Sequence, residues 1–148
     1  MKSLKQHIFE KLKVSKQKYT LFPKTKDELK QMIEDEISEN GNECSLNHIN
    51  VSKISDMSNL FRYSEFNGDI SEWDVSSVRD MYSMFDSSKF NGDISDWDVS
   101  NVTDMSWMFY YSKFKGDIAS WNVASVSAMD KAFERSPLEN NPPKWYKK

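Results

Sequence analysis

The stretch WDVSNVTDMSWMFYYSKFKGDIAS, residues 97–120, recurs along this 148-residue chain at a fixed step of 24 residues. One step back, from Trp73, it reads WDVSSVRDMYSMFDSSKFNGDISD; one step forward, from Trp121, it reads WNVASVSAMDKAFERSPLEN. INVSKISDMSNLFRYSEFNGDISE, from Ile49, comes before them without a gap, and Trp145 falls on the same phase. A constant period in this range marks a stacked-coil solenoid, in which each unit buries its apolar side only against its neighbours.

Inside one unit the apolar residues follow two patterns. Ile94, Trp97 and Val99 are spaced apolar-x-x-apolar-x-apolar, as are Ile70-Trp73-Val75, Ile118-Trp121-Val123 and Leu46-Ile49-Val51. The last positions alternate, which predicts a short strand with one buried face. Val102, Met105, Met108 and Phe109 stand at i, i+3, i+6 and i+7, which predicts one face of a short helix. Ser77 and Asn101 precede Asp80 and Asp104 by three residues, the spacing of a capping box. Gly68, Gly92 and Gly116, each followed by Asp, are expected to open the turn into the next coil. The expected fold class is therefore α/β. It is a leucine-rich-repeat-like solenoid of about four strand-plus-short-helix coils with an N-terminal helical cap. Strands stack about 4.8 Å apart and helices about 10 Å, so such a stack curves with its strands on the concave side.

Outside the repeats the chain divides into a basic arm at 1–18, a cap at 19–45, repeats at 46–136 and a C-terminal cap at 137–148. In the arm, Leu4, Ile8, Phe9 and Leu12 form an apolar stripe at helical spacing among lysines. Up to Lys26 eight basic residues face one acid, Glu10. Such an amphipathic helix folds back on an acidic body, docks on another protein, or lies on a membrane surface. In the cap, Thr25 and Glu28 announce a helix whose face is Leu29, Met32, Ile33 and Ile37, ending at Gly41. At the far end Pro137, Pro142 and Pro143 discourage further growth of the stack, leaving Trp145 and Tyr146 to cover the last coil.

The string F-N-G-D-I-S-x-W-D-V-S-x-V-x-D-M-x-x-M-F-x-x-S, present at 66–88 and again at 90–112, resembles the repeat of the BspA-like leucine-rich-repeat surface proteins, which are also abundant in mycoplasmas. The resemblance covers roughly residues 46–136. It implies an adhesion or protein-contact scaffold without catalysis. Many relatives are exported or lipid-anchored, whereas this N-terminus is broken by lysines and has no signal-peptide core. The expected location is the cytoplasm, or a virion if the chain is phage-encoded.

Positions that are identical between coils serve the scaffold, and positions that differ are free to serve a partner. Trp73, Trp97 and Trp121 are thus core, and Ser64, Ser88, Ser112 and Ser136 small buried residues that bond backbone. Two sets of residues depart from the scaffold. Glu72, Asp74, Asp96 and Asp98 form an acidic concave row that either receives a basic peptide or merely solubilises. Trp107, Tyr110 and Tyr111, near Tyr82 and Tyr63, form a cluster on the convex side that either is an interaction hot spot or fills space between turns. Asp69, Asp93 and Asp117 supply one carboxylate per coil, too few for a metal site, so no metal or cofactor is expected. Cys44 and His48 lack an orienting third group, and no catalysis is expected. Residues 27–135 hold nine basic and 21 acidic side chains. That balance disfavours nucleic acid and favours a protein partner with a basic surface. The expected function is a non-catalytic protein-protein interaction module. The alternative is a structural component of a surface or virion assembly, docked through its basic helix.

Overall fold

The computed structural model describes residues 3–5 and 18–148. One long helix, α1 (Lys26–Asn40), precedes the repeats. The Thr25 hydroxyl accepts the Glu28 N–H at 3.1 Å, and the Glu28 carboxylate reaches back to the Lys24 N–H at 2.7 Å. These two bonds satisfy donors that a helix start leaves orphaned. Gly41 ends the helix with φ +85° and gives its N–H to the Ile37 carbonyl at 2.8 Å. Leu29 and Ile33 are the side chains α1 buries, and they join one core with the repeats. The segment ahead of α1 is tied to the same body: Leu21 bridges Ile49, and the Asn50 N–H donates to the Leu21 carbonyl.

The repeats are not built from the expected strands and helices. Among the described residues after α1 the regular pairing is limited to isolated bridges, such as Asp56 to Asp80, Asp80 to Asp104 and Asp104 to Ala128. The inter-coil backbone bonds run through the segment expected to be helical. N–H groups of Met57, Asn59, Phe61 and Tyr63 donate to carbonyls of Asp80, Tyr82, Met84 and Asp86, each at 2.9 Å. The same set is repeated from Met81, Ser83, Phe85 and Ser87 onto coil three, and from Met105, Trp107, Phe109 and Tyr111 onto coil four. Between these donors the even-numbered N–H groups turn back onto their own coil, as Leu60 does to Met57.

A right-handed helix cannot form there because two residues in each unit are left-handed. Asn59, Tyr63, Ser83, Ser87, Trp107, Tyr111, Lys131 and Arg135 all have φ between +52° and +61°. For L-residues that conformation costs roughly 1–2 kcal/mol each. It persists because, in the first three coils, it aims the same residue's N–H at a carbonyl of the next coil. The capping-box acids have another role: Asp80 and Asp104 accept the N–H two residues on, from Tyr82 and Ser106, each at 2.8 Å.

The segment expected as strand lacks a ladder, yet its alternation in burial is real. Trp73 and Val75 are buried while Glu72 and Asp74 are exposed, and Trp97, Val99, Asp96 and Asp98 repeat this. Period two here comes from consecutive tight turns (Trp73 to Ile70, Val78 to Val75) rather than from a pleat. The curvature argument also loses its premise, because no coil carries a helix.

Three columns of rings fill the core. Phe61, Phe85, Phe109 and Phe133 stack at 5.5–5.6 Å with their planes within 7°. Phe66, Phe90 and Phe114 stack at 6.2–6.3 Å. Trp73, Trp97, Trp121 and Trp145 stack at 6.3–6.5 Å. At such spacings the rings are offset, the arrangement the ring quadrupole favours. Each indole N–H is also satisfied: Trp73, Trp97, Trp121 and Trp145 donate to the carbonyls of Leu46, Ile70, Ile94 and Ile118 at 2.9–3.1 Å. The glycines serve close packing. At Gly68 an added Cβ would collide with the Cys44 carbonyl, and at Gly92 it would come 2.7 Å from the Phe90 ring. The serines bond backbone as expected, Ser64, Ser88 and Ser112 accepting the N–H of Phe66, Phe90 and Phe114 and Ser136 donating to the Phe133 carbonyl. Only Ser88 and Ser112 are buried, however, Ser64 and Ser136 being half-buried.

Candidate functional site

The left-handed turns decide where the variable side chains go. Trp107 (φ +61°) and Tyr111 (φ +52°) occupy the two such positions of coil three, and the Tyr110 N–H bonds the Trp107 carbonyl at 3.1 Å. This turn, not a helical face, gathers the three rings. Trp107 and Tyr110 lie 4.6 Å apart at 56°, and Tyr110 and Tyr111 lie 6.5 Å apart. Trp107 and Tyr110 are half-buried and Tyr111 is 57% exposed. Tyr82 and Tyr63 are exposed too, but among the described residues neither makes ring contact with this cluster. Tyr63 is instead covered by the Arg62 guanidinium, 4.8 Å from its ring centre.

Lys131, the residue one period after Trp107, places its ammonium 4.9 Å from the Trp107 ring centre. This cation–π partner was missed by reading the coils separately; the 24-residue step pointed to it. Trp107 and Lys131 then open onto a cleft of about 480 Å³ whose other walls include Met129, Phe133, Glu134 and Tyr146. The Tyr146 ring meets Phe133 edge-on at 4.9 Å, and burial, ahead of two nearby acids, pushes its phenol up from the ordinary value.

The acidic row is exposed, but half of it is already engaged. The Asp74 and Asp98 carboxylates accept both the N–H and the hydroxyl of Ser76 and Ser100. Those Ser100 bonds hold the Asp98 carboxyl below the usual range. Glu72 and Asp96 are exposed beside them. In the turn acids Asp69 and Asp93 the same pairing recurs with Ser71 and Ser95, while Asp117 accepts the Ala119 N–H, position 119 having no hydroxyl to add. Among the described residues no group of three or more His, Cys, Asp or Glu could hold a metal ion.

Elsewhere, His48 pairs with Glu36 (Nε2 to Oε1, 3.2 Å), not with Cys44. Burial, then Glu36, pushes the Cys44 thiol up, away from the thiolate a nucleophile needs. In the arm Leu4 is 77% exposed, while Ile8, Phe9 and Leu12 lie outside the described residues. Among the described residues no helix is long and apolar enough to cross a membrane.

A family model described as "Mycoplasma protein of unknown function, DUF285" matches residues 27–145, which takes in all but the first residue of α1 and all the repeats. No curated protein and no solved structure matches the chain.

Proposed function

The chain belongs to the DUF285 family of Mycoplasma proteins of unknown function, and from its geometry we propose that it is a non-catalytic protein-protein interaction module. Its scaffold is a leucine-rich-repeat-like solenoid in which stacked turns take the place of strand and helix. The resemblance of the repeat to that of BspA-like surface proteins supports the same reading.

One observation carries it. The rings of Trp107, Tyr110 and Tyr111 vary from coil to coil and stay outside the ring columns, and Trp107 borders an open cleft. Rigid aromatic rings on a fixed turn bind with little loss of conformational entropy, which is why such residues dominate interaction hot spots. The partner surface is basic, facing a body that carries 21 acids against nine bases over residues 27–135.

The test is affinity capture from source-cell lysate with the full chain, with Trp107→Ala/Tyr110→Ala, and with a chain starting at Tyr19. The reading requires a partner held by the first and third and lost by the second, whose melting temperature stays close to wild type. A partner lost only with residues 1–18 would make the basic arm the address and the repeats a spacer.

A further inference from the structure

The coil-to-coil ladder stops without being closed. In coil three, N–H groups of Met105, Trp107 and Phe109 donate to Ala128, Asp130 and Ala132 of coil four at 2.8–2.9 Å. The equivalent donors of coil four are Met129, Lys131 and Phe133, and among the described residues their N–H groups meet no acceptor. Phe133 is 1% exposed, so its donor is withdrawn from bulk water as well as unpaired. A buried N–H without a partner is rare in folded proteins and calls for an explanation. The fourth donor of the set is closed from within the chain: Arg135 N–H binds the Glu139 carboxylate at 3.2 Å.

The C-terminal segment covers only part of this end. Trp145 prolongs the tryptophan column and Tyr146 abuts Phe133, while the cleft beside Met129, Lys131 and Phe133 stays open. A second copy of the chain does not fit the vacancy well. Its acceptor row, the carbonyls of Asp56, Ser58 and Leu60, lies on the end covered by α1: Ser58 and Leu60 are 9% and 6% exposed, and Lys26 holds both Ser58 and Asp56.

We propose that this open edge is a docking site for an extended segment of another protein, which adds itself as the next rung. The segment offers backbone carbonyls at alternate residues to Met129 and Lys131 and, by displacing Tyr146, to the covered Phe133, and an apolar side chain to the cleft. The occupant follows from continuity: three successive interfaces in this chain are made with that register, and the fourth has its donors in place. Adding a chain to an exposed backbone edge supplies affinity through main-chain bonds and specificity through side-chain pockets. The proposal rests on the module reading above and gives that module a second, backbone-directed contact.

The experiment uses the full chain, ¹⁵N-labelled, and an end-blocked peptide RDMYSMFDSS that copies residues 79–88, whose Asp80, Tyr82 and Met84 carbonyls accept the ladder bonds of coil one. The expected result is saturable shifts at the Met129, Lys131 and Phe133 amides, with hydrogen exchange there slowed about tenfold or more at saturation. Glu139→Ala, which frees the Arg135 donor, tightens the peptide about threefold, whereas Glu139→Gln, which keeps an acceptor, leaves it unchanged. No change at these amides, or equal protection by a scrambled peptide, overturns the proposal. Equal tightening by both Glu139 variants, a charge effect, also overturns it. Concentration-dependent shifts without peptide hand the edge to a second copy and overturn the occupant. Loss of the edge signal alongside intact Trp107-dependent capture removes this site and leaves the module reading standing.

Discussion

The Trp97 indole donates its N–H to the carbonyl of Ile70 at 3.1 Å, across 27 residues and inside the core. The residue at this position must therefore be apolar enough to bury and polar enough to give the Ile70 carbonyl a second donor beside the Trp73 N–H. Phenylalanine does only the first. Trp97→Phe is expected to cost about 0.5–1.5 kcal/mol for the lost hydrogen bond, the carbonyl keeping its Trp73 donor, read by chemical denaturation. Trp145→Phe breaks the same bond at the half-buried end of the column, where water can replace it, and costs less.

Close packing at the turn glycines differs from coil to coil. At Gly68 a methyl group meets the Cys44 backbone carbonyl, which cannot swing away, whereas at Gly116 its closest neighbour is the Phe114 ring at 2.8 Å. Gly68→Ala is expected to destabilise by about 3 kcal/mol, at the upper end of ordinary overpacking, and Gly116→Ala by clearly less. Equal melting temperatures for the two variants would contradict this.

Arg135 holds φ +58° on the exposed side of the last coil. Arg135→Gly removes the left-handed cost of about 1–2 kcal/mol at the expense of roughly 0.5–1 kcal/mol in chain entropy. A rise in melting temperature is expected even though a side chain has been deleted, and a fall would show that the Arg135 side chain matters more than its backbone.

Acid should loosen the turns. Asp69, Asp93 and Asp98 are each held below the ordinary carboxyl value, chiefly by the hydroxyl and N–H of Ser71, Ser95 and Ser100. A carboxyl whose folded pKa is depressed contributes stability in full above its unfolded value, near 3.9, and loses it as pH falls towards the folded value. Melting temperature should therefore be insensitive to these groups at neutral pH and drop below about pH 4. Ser100→Ala removes the leading cause at Asp98 and makes that drop shallower, in a titration of melting temperature against pH.

Period, ring columns and α1 could all be read from the residues. Trp and Phe at fixed phase leave few other ways to bury themselves, and Thr25, Glu28 and Gly41 carry a helix's start and stop in their own chemistry. The structure of the D-M-x-x-M-F segment was not legible. Val102, Met105, Met108 and Phe109 fit a helical face, and the left-handed positions that forbid it hold Asn, Ser, Trp and Lys, or Tyr, Ser and Arg, without a glycine to mark them. In the first three coils those φ values aim an N–H at a carbonyl one coil away, a long-range partner with no local signature. The aromatic cluster was visible as a departure between coils. Its cation and the open donor row appear only when the coils are set side by side.

The interchangeability of the ring columns reaches beyond this one fold. Coils two and three offer like surfaces to each neighbour, so excising residues 73–96 would join Glu72 to Trp97 and leave Trp73's place in the column to an identical ring. Homologous recombination between the repeats of such a gene adds or removes units of 24 codons in frame, and each product inherits a sound core. Length in this architecture is thus a heritable variable that can change in a single step, while the two ends keep their identities.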